Sequence, residues 1–445
     1  MQPSSRDAEA PHVALFMRSL GGGGVERSML NLAAALLERG HRVDLVVCRA
    51  GGAMTAEVPA GARVVALAPS SPASWRRHLL KADPEGRRDL LRPALLPLRP
   101  ALELRHLPAL TGYLRRERPQ ALLAAMPYAN LVALWARRAA GAATRIVVSE
   151  RNTLSAFIHG PQRRGKWRWR HVLPLIRRLY PQAEAIVAVS EGVADDLART
   201  AGLPREIIAT VYNPVVGETL FERAREDVAH PWFAPGEPPV ILGAGRLLPQ
   251  KDFPTLLRAF ARLRRRQEAR LVILGEGKER AALERLAREL GVAEAVDMPG
   301  FAPNPFAYMA RASLFVLSSA HEGLPGVLIQ ALACGCPVVS TDCPSGPAEI
   351  LEGGRWGPLV PVGDDAALAE AMLATLAAPL PRARLRERGA AFSVERAAER
   401  YRDLLFGGAA DPAAARLDAA AGVPFHARDA GGRAGVPAPD RGLPE

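Results

Sequence analysis

The sequence has no run of about twenty apolar residues, so no segment reads as a membrane-crossing helix. The nearest, Ala121–Ala136, is interrupted by Pro127 and Asn130 and reads as a strand, a loop and a helix. Met1–Pro11 is polar and the apolar run after it is short, so no signal peptide is read at the start. Cysteine is scarce: there are 4, at Cys48, Cys334, Cys336 and Cys343, with no C-x-x-C pair and no ordinary zinc spacing. Such thiols read as small buried residues of a reducing compartment. Lysine is nearly absent, with arginine supplying almost all of the 58 basic side chains. No Asp-x-Asp occurs anywhere, nor a G-x-G-x-x-G with a well-placed acidic residue, which disfavours a dinucleotide site. No internal repeat of solenoid period is present.

What remains is a globular composition, 49% hydrophobic and 23% charged, over 445 residues, enough for two domains or more. The net charge of +12 favours anionic partners such as nucleotides, nucleic acid or acidic lipid, although a generically basic surface would look the same.

Apolar runs alternate with helical stretches along most of the chain. His12–Met17 is followed by glycines 21–24, a helix pattern from Val25 to Glu38 closed by Gly40, and a second run at Val43–Cys48. Arg63–Ala68, Ala121–Ala125, Arg145–Ser149, Ala185–Val189 and Ile207–Val211 continue the series. A second alternation has strand-like runs at Val240–Leu242, Leu271–Leu274, Leu314–Leu317, Val338–Ser340 and Leu359–Val362. This pattern predicts an α/β chain with two doubly wound parallel sheets. Ser70–Pro108, rich in Arg, Pro and Leu, reads as an inserted helical excursion. The expected organisation is a first domain over 11–220, a linker over 221–239, a second domain over 240–390, a last helix over 391–406 and a disordered tail over 407–445. Ser393 is the expected cap of that last helix, with Arg396 at its third position.

Five stretches carry chemistry. Ser313–Pro347 reads as strand, loop, helix, strand, and its loop runs through Glu322 into a helix starting near Gly326. Unpaired backbone N–H groups and the positive dipole end there suit a phosphate. Glu322 and Gln330 flank that place, as a ligand with sugar hydroxyls on either side of a diphosphate would require. Gly243–Asp252 ends a strand in a loop holding Arg246 and Lys251, a rigid fork and a mobile point charge that together match a diphosphate. Ser149–Asn152 ends another strand, offering Arg151 and Asn152 as polar cleft candidates, and Met126–Asn130 another. Arg163–Tyr180 interleaves cations with Trp167 and Trp169, a pattern suited to an anionic membrane surface or to single-stranded nucleic acid; the first is favoured.

The segment Ser313–Pro347 resembles the C-terminal signature of the retaining glycosyltransferases of family 4 (glycosyl transferases group 1), and the resemblance extends over Val13–Phe406, strongest from Gly243 to Pro347. The family's usual motif is Glu, seven residues, Glu. Here Glu322 holds the first position and Gln330 the second. The resemblance implies the GT-B fold, two Rossmann-like doubly wound parallel-sheet domains facing a cleft, with the last helix crossing back to the first domain.

It also implies roles. Arg246 and Lys251 would hold the diphosphate of a nucleotide sugar, with a UDP-linked donor expected, and Glu322 would contact the donor sugar. Gln330 would accept from the ribose, without charge. Gly323, Leu324, Pro325, Gly326 and Val327 would supply the helix start, Gly23 and Gly24 a close approach across the cleft, and Gly300 and Phe301 the base region. The missing Asp-x-Asp implies no metal, and no cofactor is expected beyond the donor. The implied acceptor is a glycan or polyprenyl-linked glycan of cell-surface polysaccharide or lipopolysaccharide synthesis. The expected location is cytoplasmic, peripheral at the inner face of the plasma membrane, with no nucleic-acid partner. The alternatives are a non-catalytic nucleotide-sugar-binding paralogue and a GT-B-shaped sugar-nucleotide epimerase.

Overall fold

The computed structural model of the chain describes residues 10–97, 100–159 and 169–408. Two parallel sheets carry the fold within them. The first holds β1 (His12–Ser19), β2 (Arg42–Arg49), β3 (Arg63–Ala66), β4 (Ala121–Ala125), β5 (Arg145–Glu150), β6 (Ala185–Ala188) and β7 (Ile208–Thr210), in the order β3-β2-β1-β4-β5-β6-β7. The second holds β8 (Val240–Ala244), β9 (Arg270–Leu274), β10 (Val296–Gly300), β11 (Leu314–Leu317), β12 (Val338–Thr341) and β13 (Leu359–Val360), in the order β10-β9-β8-β11-β12-β13. Parallel neighbours need crossover helices, which cover both faces of each sheet. The central strands therefore read as unbroken apolar runs: β1 is buried from His12 to Met17, and β4 throughout.

Each sheet reverses its winding once, between β1 and β4 and between β8 and β11. Loops leaving such a pair diverge, so a crevice opens beyond the carboxyl ends of the strands. The two crevices face one another.

The chain crosses from the first sheet to the second at residues 213–217 and returns at 392–394. The crossings are tied to each other: Val216 donates its N–H to the Phe392 carbonyl at 3.1 Å, and Val394 donates to Val216 at 2.9 Å. The last helix, Val394–Phe406, then seats Ala398, Tyr401 and Leu405 in the core of the first domain with Val13, Leu123 and Val147. Ser393 Oγ accepts from the Arg396 N–H at 3.2 Å, the cap read from the sequence.

Three elements differ from the sequence reading. β10 is an edge strand, half exposed and carrying Asp297 and Pro299, so it has no apolar run to reveal it. The helix Arg382–Ala390 buries only Leu385 and Gly389 and so has no apolar stripe. A helix at Glu218–Ala224 runs into the stretch expected as a linker, and Asn304 Nδ2 donates to the Arg223 carbonyl at 2.8 Å, fastening it to the second domain. The excursion after β3 is helical, with Pro72–Ala82 and shorter turns packing Trp75, Leu79, Leu90 and Leu104 inside. Residues 409–445 of the expected tail, and 163–168 of the basic–aromatic segment, lie outside the described residues. Within the latter, Trp169 is buried, stacked on Phe157 with ring centroids 4.9 Å apart.

Candidate active site

The facing crevices form one cleft of about 1060 Å³, walled by both domains and backed by the crossing residues Asn213, Pro214 and Val215. Its second-domain wall is built at the reversal point, from the loops that follow β8 and β11. The loop after β8 also passes close to the loop after β9, where only glycine fits: a Cβ on Gly275 would lie 1.9 Å from the Gly245 carbonyl oxygen. Side chains then fasten loop to loop. Lys251 Nζ lies 2.5 Å from Glu322 Oε1, the same oxygen that accepts from Ser319 Oγ at 2.7 Å. Ser318 Oγ donates to the Lys251 carbonyl at 2.8 Å, and Gln250 Nε2 to the His321 carbonyl at 2.9 Å.

Arg246 stands on the same wall, exposed, and its guanidinium has no hydrogen-bonding or ionic partner among the described residues. Gly323, Leu324, Pro325, Gly326 and Val327 line the cleft as the helix Gly326–Ala333 begins, so first-turn N–H groups without an acceptor in the helix open into it. Gln330, one turn on and nearly buried, presents its side to the same space. Phe301 lines the cleft with 56% of its surface exposed, whereas Gly300 (φ +96) lies behind it, at the end of β10.

The first-domain wall comes from the turn after β1. Gly22 takes φ +81, and Gly23 and Gly24 line the cleft at the start of the helix Gly24–Glu38. Glu26 folds back to accept from the Gly23 N–H at 3.2 Å, so one of the exposed amides there already has a carboxylate. Arg151 and Asn152 reach the wall as well. The Arg151 guanidinium is committed, however, donating to Ser28 Oγ at 2.9 Å and to Asn213 Oδ1 at 2.8 Å. It braces the crossing strand against the first helix, a role its position at a strand end did not reveal.

Beneath that wall sits Glu150, fully buried. Its Oε1 accepts from Asn130 Nδ2 at 3.1 Å and from the Tyr180 hydroxyl, while Oε2 has no partner among the described residues. Burial pushes its carboxyl up to about 8, against the pull of those two hydrogen bonds. Burial thus favours its protonated form, and Glu150 does not line the cleft.

The structure thus gathers Arg246, Lys251, Glu322, Gln330, the 323–327 turn, Gly23, Gly24, Asn152 and Phe301 around one space. It adds Asn213, Gln250 and His321, none of which the sequence singled out. Among the described residues, no group of three or more His, Cys, Asp or Glu is arranged to hold a metal ion, and no helix is long and apolar enough to cross a membrane.

The family model described as Glycosyl transferases group 1 matches residues 225–392, and that described as Glycosyltransferase Family 4 matches 22–216. N-acetylgalactosamine-N,N'-diacetylbacillosaminyl-diphospho-undecaprenol 4-alpha-N-acetylgalactosaminyltransferase of Campylobacter jejuni is 31% identical over 358 residues, covering 79% of this chain and 87% of that protein. The chain belongs to the GT-B glycosyltransferases. The lipopolysaccharide core biosynthesis glycosyltransferase LpsE of Rhizobium meliloti is 33% identical over 51% of this chain and 65% of its own length. Among solved structures, Anabaena HepE in complex with UDP and glucose superposes with a TM-score of 0.69 at 18% identity, over 89% of this chain and 100% of that one. The lipopolysaccharide outer core galactosyltransferase WaaB in its apo form gives 0.64 at 18%, over 89% and 99%. At such identities the structural likeness concerns the fold. This GT-B glycosyltransferase has its two matched family regions meeting where the chain crosses between the sheets.

Proposed function

We propose that this glycosyltransferase is a retaining enzyme of family 4 that moves a sugar from a nucleotide-diphosphate sugar, UDP-linked, to a lipid-linked glycan of cell-surface polysaccharide or lipopolysaccharide synthesis. The observation that carries the reading is the second-domain wall: Arg246, the Lys251–Glu322 pair and the first turn of Gly326–Ala333 open on one cleft. In the transfer, the anomeric carbon gives up its bond to the diphosphate oxygen and gains one to the acceptor hydroxyl oxygen on the same face, while the hydroxyl proton passes to the leaving diphosphate. Negative charge grows on the leaving diphosphate as the bond breaks. Cations and helix N-terminal amides placed there favour the transition state over the ground state. Arg246 and Lys251 can do this without a metal, and Glu322 is the group assigned to the donor sugar.

The acceptor class follows from relatives. The Campylobacter protein is named for a diphospho-undecaprenol-linked acceptor, the Rhizobium one for lipopolysaccharide core synthesis, and the Anabaena structure holds UDP. An enzyme meeting a polyprenyl-linked acceptor would act cytoplasmically, at the inner membrane face, and the cations of 163–168 would favour anionic lipid. Gln330, standing where the family's second Glu is usual, is the observation behind a second reading, a nucleotide-sugar-binding paralogue without turnover.

One screen separates the two. Nucleotide sugars are offered singly, and hydrolysis and thermal shift are measured together, since a ligand that binds only the native state raises apparent stability. A UDP-sugar that stabilises the protein and is turned over supports the enzyme; stabilisation without turnover, under any acceptor, supports the paralogue. No stabilisation by any nucleotide sugar would sink both.

A further inference from the structure

We propose that Glu349 is a positioning residue for transfer: a carboxylate of the second domain that completes a helix of the first and so holds the cleft closed around the donor turn. The helix Glu191–Ala201, like any helix, begins with N–H groups that have no acceptor of their own. Ser190 Oγ takes one of them, from Val193, at 3.1 Å. The next two are taken by the other domain. Glu349 Oε2 accepts from the Glu191 N–H at 2.9 Å, and Oε1 from the Gly192 N–H at 2.8 Å. The Tyr212 hydroxyl, on the crossing strand, donates to Oε2 at 3.2 Å. The Glu191 side chain, a like charge, is drawn away to Arg205.

The fit is close and needs particular residues. A Cβ on Gly192 would lie 3.0 Å from Ser345 Cα, and Ser345 itself is held at φ +71. Ser345 Oγ and Ser190 Oγ, 2.7 Å apart and from opposite domains, both reach the Gly323 carbonyl, at 2.8 and 3.0 Å. Gly323 follows Glu322 directly and is pressed on the first domain, where a Cβ would meet the Arg151 carbonyl oxygen at 2.1 Å. The carboxylate therefore does not touch the donor site. It fixes the distance between domains at the point where the donor turn rests on the strand-end Arg151–Asn152.

A carboxylate receiving two amides and a hydroxyl is a strong, directional acceptor, and burial works against its charge, raising its pKa. Such a contact is strong when the domains meet and absent when they part, which is what a closing device requires. The proposal rests on the donor site assigned above.

The test uses the full chain with Glu349→Ala, Glu349→Gln and, from the other side of the contact, Gly192→Ala, which leaves the carboxylate in place. Three quantities are measured: kcat for transfer, the Kd of UDP, and the distance between two spin labels, one on each domain, with UDP bound. The expected result is a kcat lowered roughly tenfold to a hundredfold, the range a displacement of about 1 Å in the site produces, with UDP affinity little changed and the label distance longer and broader. Glu349→Gln should behave nearly like Ala, because its amide N–H2 would face a backbone donor. Wild-type kcat and label distance in both Glu349→Ala and Gly192→Ala would overturn the proposal. So would a loss of UDP affinity as steep as the loss of kcat, which would put Glu349 in the donor site itself. If Glu349→Ala does not fold, Gly192→Ala decides by the same readouts. If UDP does not bind the wild type at all, the donor assignment fails, and the label distances without UDP still test the contact.

Discussion

Lys251 and Glu322, 71 residues apart in sequence, meet as an ion pair of 2.5 Å across the two loops of the cleft wall. The residue assigned to the leaving group and the residue assigned to the donor sugar are thus one unit. Ser319, bonded to the same carboxylate oxygen, holds it in register. The cation that can serve a diphosphate here also orients the carboxylate beside it.

From this pairing, Lys251→Ala and Glu322→Ala are expected not to act independently. Each alone should lower kcat on the order of a hundredfold or more, the cost of removing a preorganised transition-state contact. The double variant should lose much less than the product of the two, as residues sharing an interaction do. Strictly multiplicative losses, measured under saturating donor, would show that the ion pair has no part in turnover. Arg246→Ala, at an exposed guanidinium without a partner among the described residues, should lower kcat by a similar factor and leave the melting temperature nearly unchanged.

Gln330 faces the cleft on the helix whose start would meet the diphosphate. Gln330→Glu rebuilds the family's usual pair with a nearly isosteric side chain. Activity is expected to persist, with nucleotide affinity equal or higher by titration calorimetry. A folded Gln330→Glu protein without activity would mean that the amide has a role beyond accepting from the ribose.

Chelation should leave turnover intact, because the growing charge is met by Arg246, Lys251 and backbone amides. The assay is initial rate with and without EDTA, followed by Mg²⁺ or Mn²⁺. A rate abolished by EDTA and restored by either ion would defeat the metal-free mechanism.

Glu150 sets a pH dependence of stability. Its carboxyl is raised by burial to about 8, above the usual carboxylate range near 4.3 that it recovers when unfolded. Between these values the native state binds the extra proton, so this contribution is fully present below about pH 4 and declines as pH rises through about 8. Glu150→Gln removes the titration while keeping the shape. Its melting temperature relative to wild type should therefore climb between pH 6 and pH 9, roughly the upper part of that window. A difference that stays flat over this range would mean Glu150 is not protonated in the fold.

Asp44 works in the opposite sense. Burial opposes its charge, but hydrogen bonds from His12 at 2.9 Å, Arg63 at 2.9 Å and Tyr113 at 2.6 Å hold its carboxyl well below the usual range. Its contribution is present above about pH 4 and fades only in stronger acid. Asp44→Ala leaves the buried His12 and Tyr113 without this acceptor, while the half-exposed Arg63 keeps Glu117 at 2.7 Å, and should cost about 1–3 kcal/mol in denaturant unfolding at pH 7. A cost under about 1 kcal/mol would show that the network is not a net stabiliser.

The parts of this protein that its sequence determined are local. A strand followed by a short loop and a helix puts the loop at the carboxyl edge of a sheet, whatever the rest of the chain does. Arg246, Lys251, Glu322 and the Gly326 helix start were legible for that reason, and so was the cap at Ser393. Each depends on neighbours within one βα turn or on a motif of fixed spacing. The buried parallel strands were legible because both faces are covered, which leaves an apolar run in the sequence.

Tertiary structure decided what depends on residues far apart. Arg151 looked like a cleft residue from its strand end; only the approach of Ser28 and Asn213 commits its guanidinium to bracing the crossing. Glu150, its neighbour, is sealed by Asn130 and Tyr180, and nothing in Ser149–Asn152 tells which of two adjacent polar residues faces inward. β10 carries no apolar run because its edge position leaves it half in water. The contact of Glu349 with Gly192 joins two domains 157 residues apart along the chain. Period and spacing report the burial of an element's own face. They do not report which distant carboxylate will find a free helix end, because that is settled by how the two sheets come together.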